Sequence, residues 1–258
     1  MISFAGRLVL FIAAAGLGGA GGALRFAVSD VPWPTFGEFA GGVVGLAAVG
    51  TGLRIALQDF AVWRHRHLRY GMFAANVIGT AALAFALDHS NSAFFSWAFM
   101  IGFCGGLTTF SGFVNESLAL VQHHRRVRAL VFVVATLGLS FEAFRFLHAS
   151  SPAGFPWRTM VVNLTGCFAF GVIDKAVDPF AARSALHRLC LSGFLGGYTT
   201  LSALVAETLA LAVEEPAVAV VNVAFQVVMG VVLIIVGRVV GVRVVRRVRR
   251  RSANTGAG

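Results

Sequence analysis

Gly102–Phe113 reads GFCGGLTTFSGF, and Gly193–Leu204 reads GFLGGYTTLSAL. Each lies inside an apolar stretch of about 28 residues, where glycine, threonine and serine are costly in lipid unless protein or a cavity satisfies them. Both stretches therefore read as transmembrane helices broken in mid-span. A Gly-Gly pair weakens the helix and frees backbone carbonyls, and Thr-Thr-x-Ser sets hydroxyls beside the gap, which suits an ion site at the bilayer midplane. The rest of the chain reads as a frame for this pair.

Composition agrees. Of 258 residues 57% are apolar and 12% charged, too little polar surface to cover a soluble domain, so the chain is a polytopic membrane protein. The net charge of +10 sits in short clusters between apolar segments, which is how cytoplasmic loops orient a membrane protein; nucleic acid is not the expected partner. Cys104, Cys167 and Cys190 lie in or beside apolar helices without metal-ligand spacing and read as inert small residues.

Eight segments have the length of a bilayer span: Leu8–Phe26, Phe39–Leu57, Tyr70–Ala86, Phe94–Val121, Val127–Leu147, Trp157–Ile173, Leu186–Val213 and Ala217–Val240. A cleaved signal peptide is the alternative for the first, although its apolar run continues into GGAGGALRF without a clear cleavage site. The second linker (Arg64 to Arg69), the fourth (His123 to Arg128), the sixth (Lys175, Arg183, Arg188) and the Arg243–Arg251 tail are basic. The first (Asp30, Glu38), third (Asp88, His89) and seventh (Glu214, Glu215) have no Lys or Arg. This alternation predicts a multi-pass protein of the cell membrane with both termini cytoplasmic. The fifth linker is the exception, with Arg145, His148 and Arg158 on a side that parity places outside. The His-Arg clusters read as solvated loops, with a metal or pH site as the alternative. The basic tail is expected to touch anionic lipid, and Ser252–Gly258 to be disordered.

The chain repeats itself. YGMFAANVIG from Tyr70 is echoed by WRTMVVNLTG from Trp157, and GFCGGLTTFSGFVNE by GFLGGYTTLSALVAE. Asn76 and Asn163 are 87 positions apart and Thr108 and Thr199 are 91 apart, so the copies stay nearly in register. The copies lie on the third and fourth, and the sixth and seventh, segments. An offset of three spans makes them run in opposite directions. The expected fold is all-α, with two antiparallel four-helix repeats whose third helices are broken: residues 1–122, residues 123–240 and a basic tail at 241–258. Orientation pairs the second segment, which carries Gly50-Thr-Gly52-Leu-Arg54, with the fifth, ending in Glu142-Ala-Phe-Arg145-Phe146, and leaves the first to stand in for the missing last helix of the first unit.

Asn offers N–H donors and Thr and Ser offer O–H donors, none charged at neutral pH, which suits a small anion that must leave as easily as it enters. Phe110 and Phe113 are three apart and share a helix face, where a ring edge can touch an anion weakly. Freed carbonyls at Gly105 and Gly196 would prefer a cation where the breaks meet. Each piece has a plainer alternative: phenylalanine packing, asparagine joining helices, glycine allowing close approach. Glu116 and Glu207 read equally as proton carriers or as hydrogen-bonded helix-end groups. No nucleophile with a base, paired carboxylates or phosphate loop is present, so no enzyme is expected.

At these residues the sequence resembles the Fluc (CrcB) fluoride channels, short four-helix subunits that pair antiparallel and share an Asn-x-x-Gly and a GxxGGxTTFSxF motif. The first copy here matches closely and the second partially. The resemblance implies passive, selective fluoride export, with fluoride contacts from Asn76, Asn163, Thr109, Ser111, Thr200, Ser202, Phe110 and Phe113. It also implies a structural Na+ held by backbone oxygens of Gly105, Thr108, Gly196 and Thr199. Leu201 and Leu204 stand where the second copy should carry phenylalanine, which predicts two unequal conduction paths. The chain could work as a monomeric pseudo-dimer, pair with itself, or need a separate short subunit. Two competing classes are a proton-coupled secondary transporter of inverted-repeat type and a degenerate, nonconducting subunit. The first normally needs a titratable group at the midplane, where this chain has neutral residues.

Overall fold

The computed structural model describes residues 4–27, 39–65, 67–89, 98–148, 154–177 and 183–255. α1 (Phe4–Ala27), α2 (Phe39–Gly45, with widened turns, continuing as Leu46–His65) and α3 (Leu68–His89) come first. The first broken span is α4 (Phe99–Cys104 continuing as Gly105–Leu107) and α5 (Phe110–Gln122), and α6 (Arg126–Leu147) follows it. α7 (Trp157–Val177) leads to the second broken span, α8 (Arg183–Leu186, His187–Leu195 and Gly196–Tyr198 in one run) and α9 (Leu201–Ala212). α10 (Pro216–Thr255) completes the fold.

Among the described residues there is no strand, and seven helices are long and apolar enough to cross a membrane. The eighth expected span is the interrupted α4–α5, described from Ala98 onward. The bundle is apolar outside: Val9, Leu130, Phe146, Val220 and Val228 are all more than half exposed, a surface that only lipid or a partner covers cheaply. Inside, asparagine, threonine and serine are buried among phenylalanine and leucine.

Ion pairs mark the two ends. At one end Arg188 at the start of α8 holds Asp59 of α2 through two contacts of 2.7 and 3.0 Å, and Arg238 of α10 bonds Asp174 of α7 at 3.0 Å and Asn115 of α5 at 2.9 Å. At the other end His148, after α6, meets Asp88 of α3 at 2.6 Å. The third and fifth linkers thus leave from the same end. The basic residues of the fifth are partly balanced there, since Arg145 also pairs with Glu142 at 3.1 Å. Asp30 and Glu38 of the first linker lie outside the described residues. The helix at the end of the chain is longer than expected and reaches Thr255, because Val-Arg repeats continue a helix without a breaker.

α1 does not stand in for a last helix of the first unit, as expected, but packs against the second break. A Cβ at Gly21 of α1 would stand 2.2 Å from Phe194 O and 2.7 Å from Tyr198 N of α8; one at Gly50 of α2 would stand 2.2 Å from Phe103 O and 2.8 Å from Leu107 N of α4. Gly197 meets Gly18 O as Gly106 meets Ala47 O. In these pairs each α1 position is the α2 position less 29, and each α8 position is the α4 position plus 91. α1 therefore lies against the second break as α2 lies against the first. The expected pairing of Arg54 with Arg145 does not hold. Arg54 is buried at 1% exposure and its counterpart is Arg25 at 8%, whereas Arg145 is exposed.

A candidate ion site where the two helix breaks cross

At each break two residues leave the helix. Thr108 (φ −89°, ψ 158°) and Thr109 (φ −149°, ψ 125°) are extended, as are Thr199 (φ −88°, ψ 154°) and Thr200 (φ −142°, ψ 132°). Thr109 Oγ1 then caps α5 by accepting from Gly112 N at 3.2 Å, and Thr200 Oγ1 caps α9 by accepting from Ala203 N at 3.3 Å. The backbone freed by the break is held from the neighbouring helix. Asn76 of α3 accepts from Thr109 N at 2.9 Å and donates to Thr109 O at 3.4 Å; Asn163 of α7 does the same to Thr200 at 3.0 and 3.1 Å. All twelve residues expected at the site are at most 2% exposed where they carry a side chain, so each polar group must find a partner inside.

The breaks touch one another. Thr108 Oγ1 lies 3.2 Å from Thr200 Oγ1 and 3.1 Å from Ser202 Oγ, while Thr199 Oγ1 lies 3.3 Å from Thr109 Oγ1 and 3.0 Å from Ser111 Oγ. Exchanging the two copies turns each contact into another of the set, which is the mark of a two-fold axis. Residue 108 faces 202 and residue 111 faces 199, so the spans cross antiparallel. The six hydroxyls of the two Thr-Thr-x-Ser runs meet each other at the crossing and bind the halves together.

The breaks also strip four carbonyls of their helical donors. In a continuous helix Gly105 O would accept from Thr109 N, but that amide is held by Asn76; Thr108 O would accept from Gly112 N, which caps onto Thr109. Gly196 O and Thr199 O lose Thr200 N and Ala203 N in the same way. These four neutral oxygens are all the expected cation would have, and the guanidinium groups of Arg25 and Arg54 pack against Gly105 and Gly196.

The sequence reading missed the two arginines beside them. Arg25 Nη1 donates to Gly197 O at 3.1 Å, and Arg54 Nε donates to Gly106 O at 3.1 Å, with Thr51 Oγ1 on the same carbonyl at 3.3 Å. Neither has an acidic partner among the described residues, and Nη2 of each is buried without a hydrogen bond. Two such charges make the centre attractive to anions. They also explain the first glycine of each Gly-Gly pair, because a Cβ at Gly105 or Gly196 would overlap the guanidinium of Arg25 or Arg54. The available signal was an arginine inside an apolar run in each of α1 and α2. A cavity of about 250 Å³ runs from the Asp59–Arg188 pair inward to Arg54, Thr109 and Gly112, with Glu116 on its wall. Glu207 is hydrogen-bonded, accepting from Thr159 at 2.8 Å.

The two phenyl rings pack toward different halves. Their centroids are 6.2 Å apart, but Phe113 packs on Phe132 of α6 at 5.7 Å, whereas Phe110 reaches the other half, where a Cβ at Gly230 of α10 would stand 3.2 Å from its ring beside Cys167 of α7.

The profile of the family described as CrcB-like protein, Camphor Resistance (CrcB) matches the chain twice, over residues 39–146 and 142–238. The chain belongs to this CrcB-like family. The first match spans α2 to α6, and the second spans the end of α6 to α10, leaving α1 outside both. Similar proteins include the fluoride-specific ion channel FluC of Rhizobium etli (strain CIAT 652), 38% identical over 34% of this chain and 75% of its own length. FluC 1 of Mycolicibacterium paratuberculosis is 38% identical over 35% of this chain and 70% of its own, and FluC 1 of Natronomonas pharaonis 38% over 34% and 71%. Each relative covers about a third of the present chain, the share expected if one CrcB-like unit is matched at a time. No solved structure matches the chain.

Proposed function

We propose that this chain is a fluoride channel that contains both members of an antiparallel pair. The observation that carries the proposal is the crossing of two Asn-clamped helix breaks, each inside a stretch matching the family of the fluoride-specific channels. One unit is α2 to α6; the other is α7 to α10 completed by α1, which docks on α8 as α2 docks on α4. The division at residue 122 is replaced in this proposal by one in which the second unit is drawn from both sides of the first.

Uncharged donors, and two buried arginines without carboxylate partners among the described residues, favour a small anion over a cation in the paths beside the crossing. Fluoride then leaves the cytoplasm passively, down its own gradient. Asn76, Asn163, Phe110 and Phe113 are the contacts this reading assigns, with the Thr-Thr-x-Ser hydroxyls holding the walls. Gly105, Thr108, Gly196 and Thr199 carbonyls would hold a structural Na+, whose charge would draw the anion and pin the halves together. Both termini face the cytoplasm of the cell membrane in this reading, the end that carries Arg188 and Arg238 being the basic one.

The test is fluoride release from liposomes containing only this polypeptide, followed with a fluoride electrode. Release that is electrogenic and indifferent to a proton gradient supports the channel. Release that requires a proton gradient would establish the transporter instead, and no release from folded protein would refute both.

A further inference from the structure

The two halves differ beside their asparagines. In the second half a line of buried amides runs from α9 to the break: Asn222 Nδ2 donates to Thr208 Oγ1 at 3.3 Å, Gln226 Nε2 donates to Asn222 Oδ1 at 2.9 Å, and Asn163 Nδ2 donates to Gln226 Oε1 at 3.2 Å. Asn163 Nδ2 also donates to Thr200 O at 3.1 Å, so both its hydrogens are engaged. All five residues are at most 5% exposed.

α10 begins 90 residues after α6, which makes Phe132, Thr136 and Ser140 the counterparts of Asn222, Gln226 and Gly230. Among its described residues the first half has no such line. Thr136 Oγ1 donates back to Phe132 O at 2.7 Å and Ser117 Oγ to Phe113 O at 2.8 Å, each within its own helix. Among the described residues the Asn76 Nδ2 donates only to Thr109 O, at a long 3.4 Å, while its Oδ1 accepts from Thr109 N at 2.9 Å. Ser140 is fully buried, and its hydroxyl has no hydrogen-bond partner among the described residues.

We infer that the amide line Asn222–Gln226–Asn163 closes the pathway between α7 and α10, and that fluoride moves through the pathway between α3 and α6, past Asn76, Phe113 and Ser140. An anion lowers its free energy in a dry path only through donors not already engaged. In the first half an N–H of Asn76 and the O–H of Ser140 are open to it. In the second it must first separate two amide–amide bonds among side chains at most 1% exposed, a barrier that low local dielectric makes steep. The inference rests on the fluoride reading above and goes beyond it by naming the route and the residues that set it.

The test uses the full chain in liposomes with fluoride efflux as readout, and exchanges each residue for its counterpart in the other half: Ser140→Gly and Gln226→Thr. Ser140→Gly is expected to slow efflux at least tenfold, and Gln226→Thr to raise it, up to twofold as the second path opens. Ser140→Ala serves if the glycine variant elutes or melts abnormally. Wild-type rates in the Ser140 variants, or a tenfold loss in Gln226→Thr, would overturn the route assigned here while leaving the fluoride reading intact. A folded wild-type chain that releases no fluoride would overturn the reading itself.

Discussion

Gly21→Ala and Gly16→Ala are the same change on the same helix, and the structure gives them opposite outcomes. A Cβ at Gly16 meets nothing within 4 Å, while one at Gly21 would stand 2.2 Å from Phe194 O and 2.7 Å from Tyr198 N. Ordinary contact begins near 3.4 Å, and both neighbours are backbone, so α1 must retreat from α8 by roughly 1 Å because packed helices cannot yield by side-chain rotation alone. Overpacking of that kind costs about 1–3 kcal/mol. The retreat also stretches the 3.1 Å bond from Arg25, one turn along, to Gly197 O. Losing a charged hydrogen bond adds about 1.5–3 kcal/mol. The two terms share one displacement and do not add fully, so a loss of about 3 kcal/mol is expected. At about 2–4 °C per kcal/mol for a protein of this size, Gly21→Ala should melt roughly 6–12 °C below wild type in detergent, with Gly16→Ala close to wild type. If the two variants melt within about 1 °C of each other, α1 does not lie against α8 in the way described, and the second unit is not completed by it.

Two other outcomes follow from the same geometry. Because Phe113 packs toward α6 and Phe110 toward α10, Phe113→Ile should slow fluoride efflux more than Phe110→Ile; wild-type rates in both would remove the phenyls from the mechanism. If the four donor-free carbonyls hold Na+, replacing sodium by N-methylglucamine should remove about 2.7 kcal/mol of stability for an ion present at a hundred times its dissociation constant, and so lower the melting temperature; an unchanged melting curve would argue against the ion.

The breaks were readable because they violate the rule of the medium. Gly-Gly-x-Thr-Thr in mid-span leaves polar backbone in lipid, so the sequence had to supply partners, and Asn76 and Asn163 recur in register to do so. The place of α1 was not readable, since no local pattern says that a helix before the first unit completes the second. The 91-residue repeat even offered Arg145 as a false partner for Arg54, because spacing along the chain carries no information about burial. Phe110 and Phe113 were assigned to one face from their spacing, which is correct for the helix. The rings nonetheless sit at a crossing, where one face of α5 meets both halves, so they divide between them. The amide line was hidden for a similar reason: Asn222 and Gln226 lie one turn apart on α10, but only the packing of α7 and α9 on α10 shows what they join.

The leucines of the second break can be understood together with the serine of the first half. Gly230 leaves space that the Phe110 ring fills, since even a Cβ there would come within 3.2 Å of it. The two-fold relation places Leu201, the counterpart of Phe110, toward α3 and α6, where the counterpart of Gly230 is Ser140. A smaller residue on α9 thus accompanies a larger one on α6. Leu201→Phe alone should overpack against Ser140 and destabilise by about 1–3 kcal/mol. Combined with Ser140→Gly it should recover part of that loss, giving a coupling of about 0.5–3 kcal/mol in a double-mutant cycle read by thermal melting. Simple additivity would mean that the two side chains do not share a space, and the leucines would then need an explanation outside the packing of the first pathway.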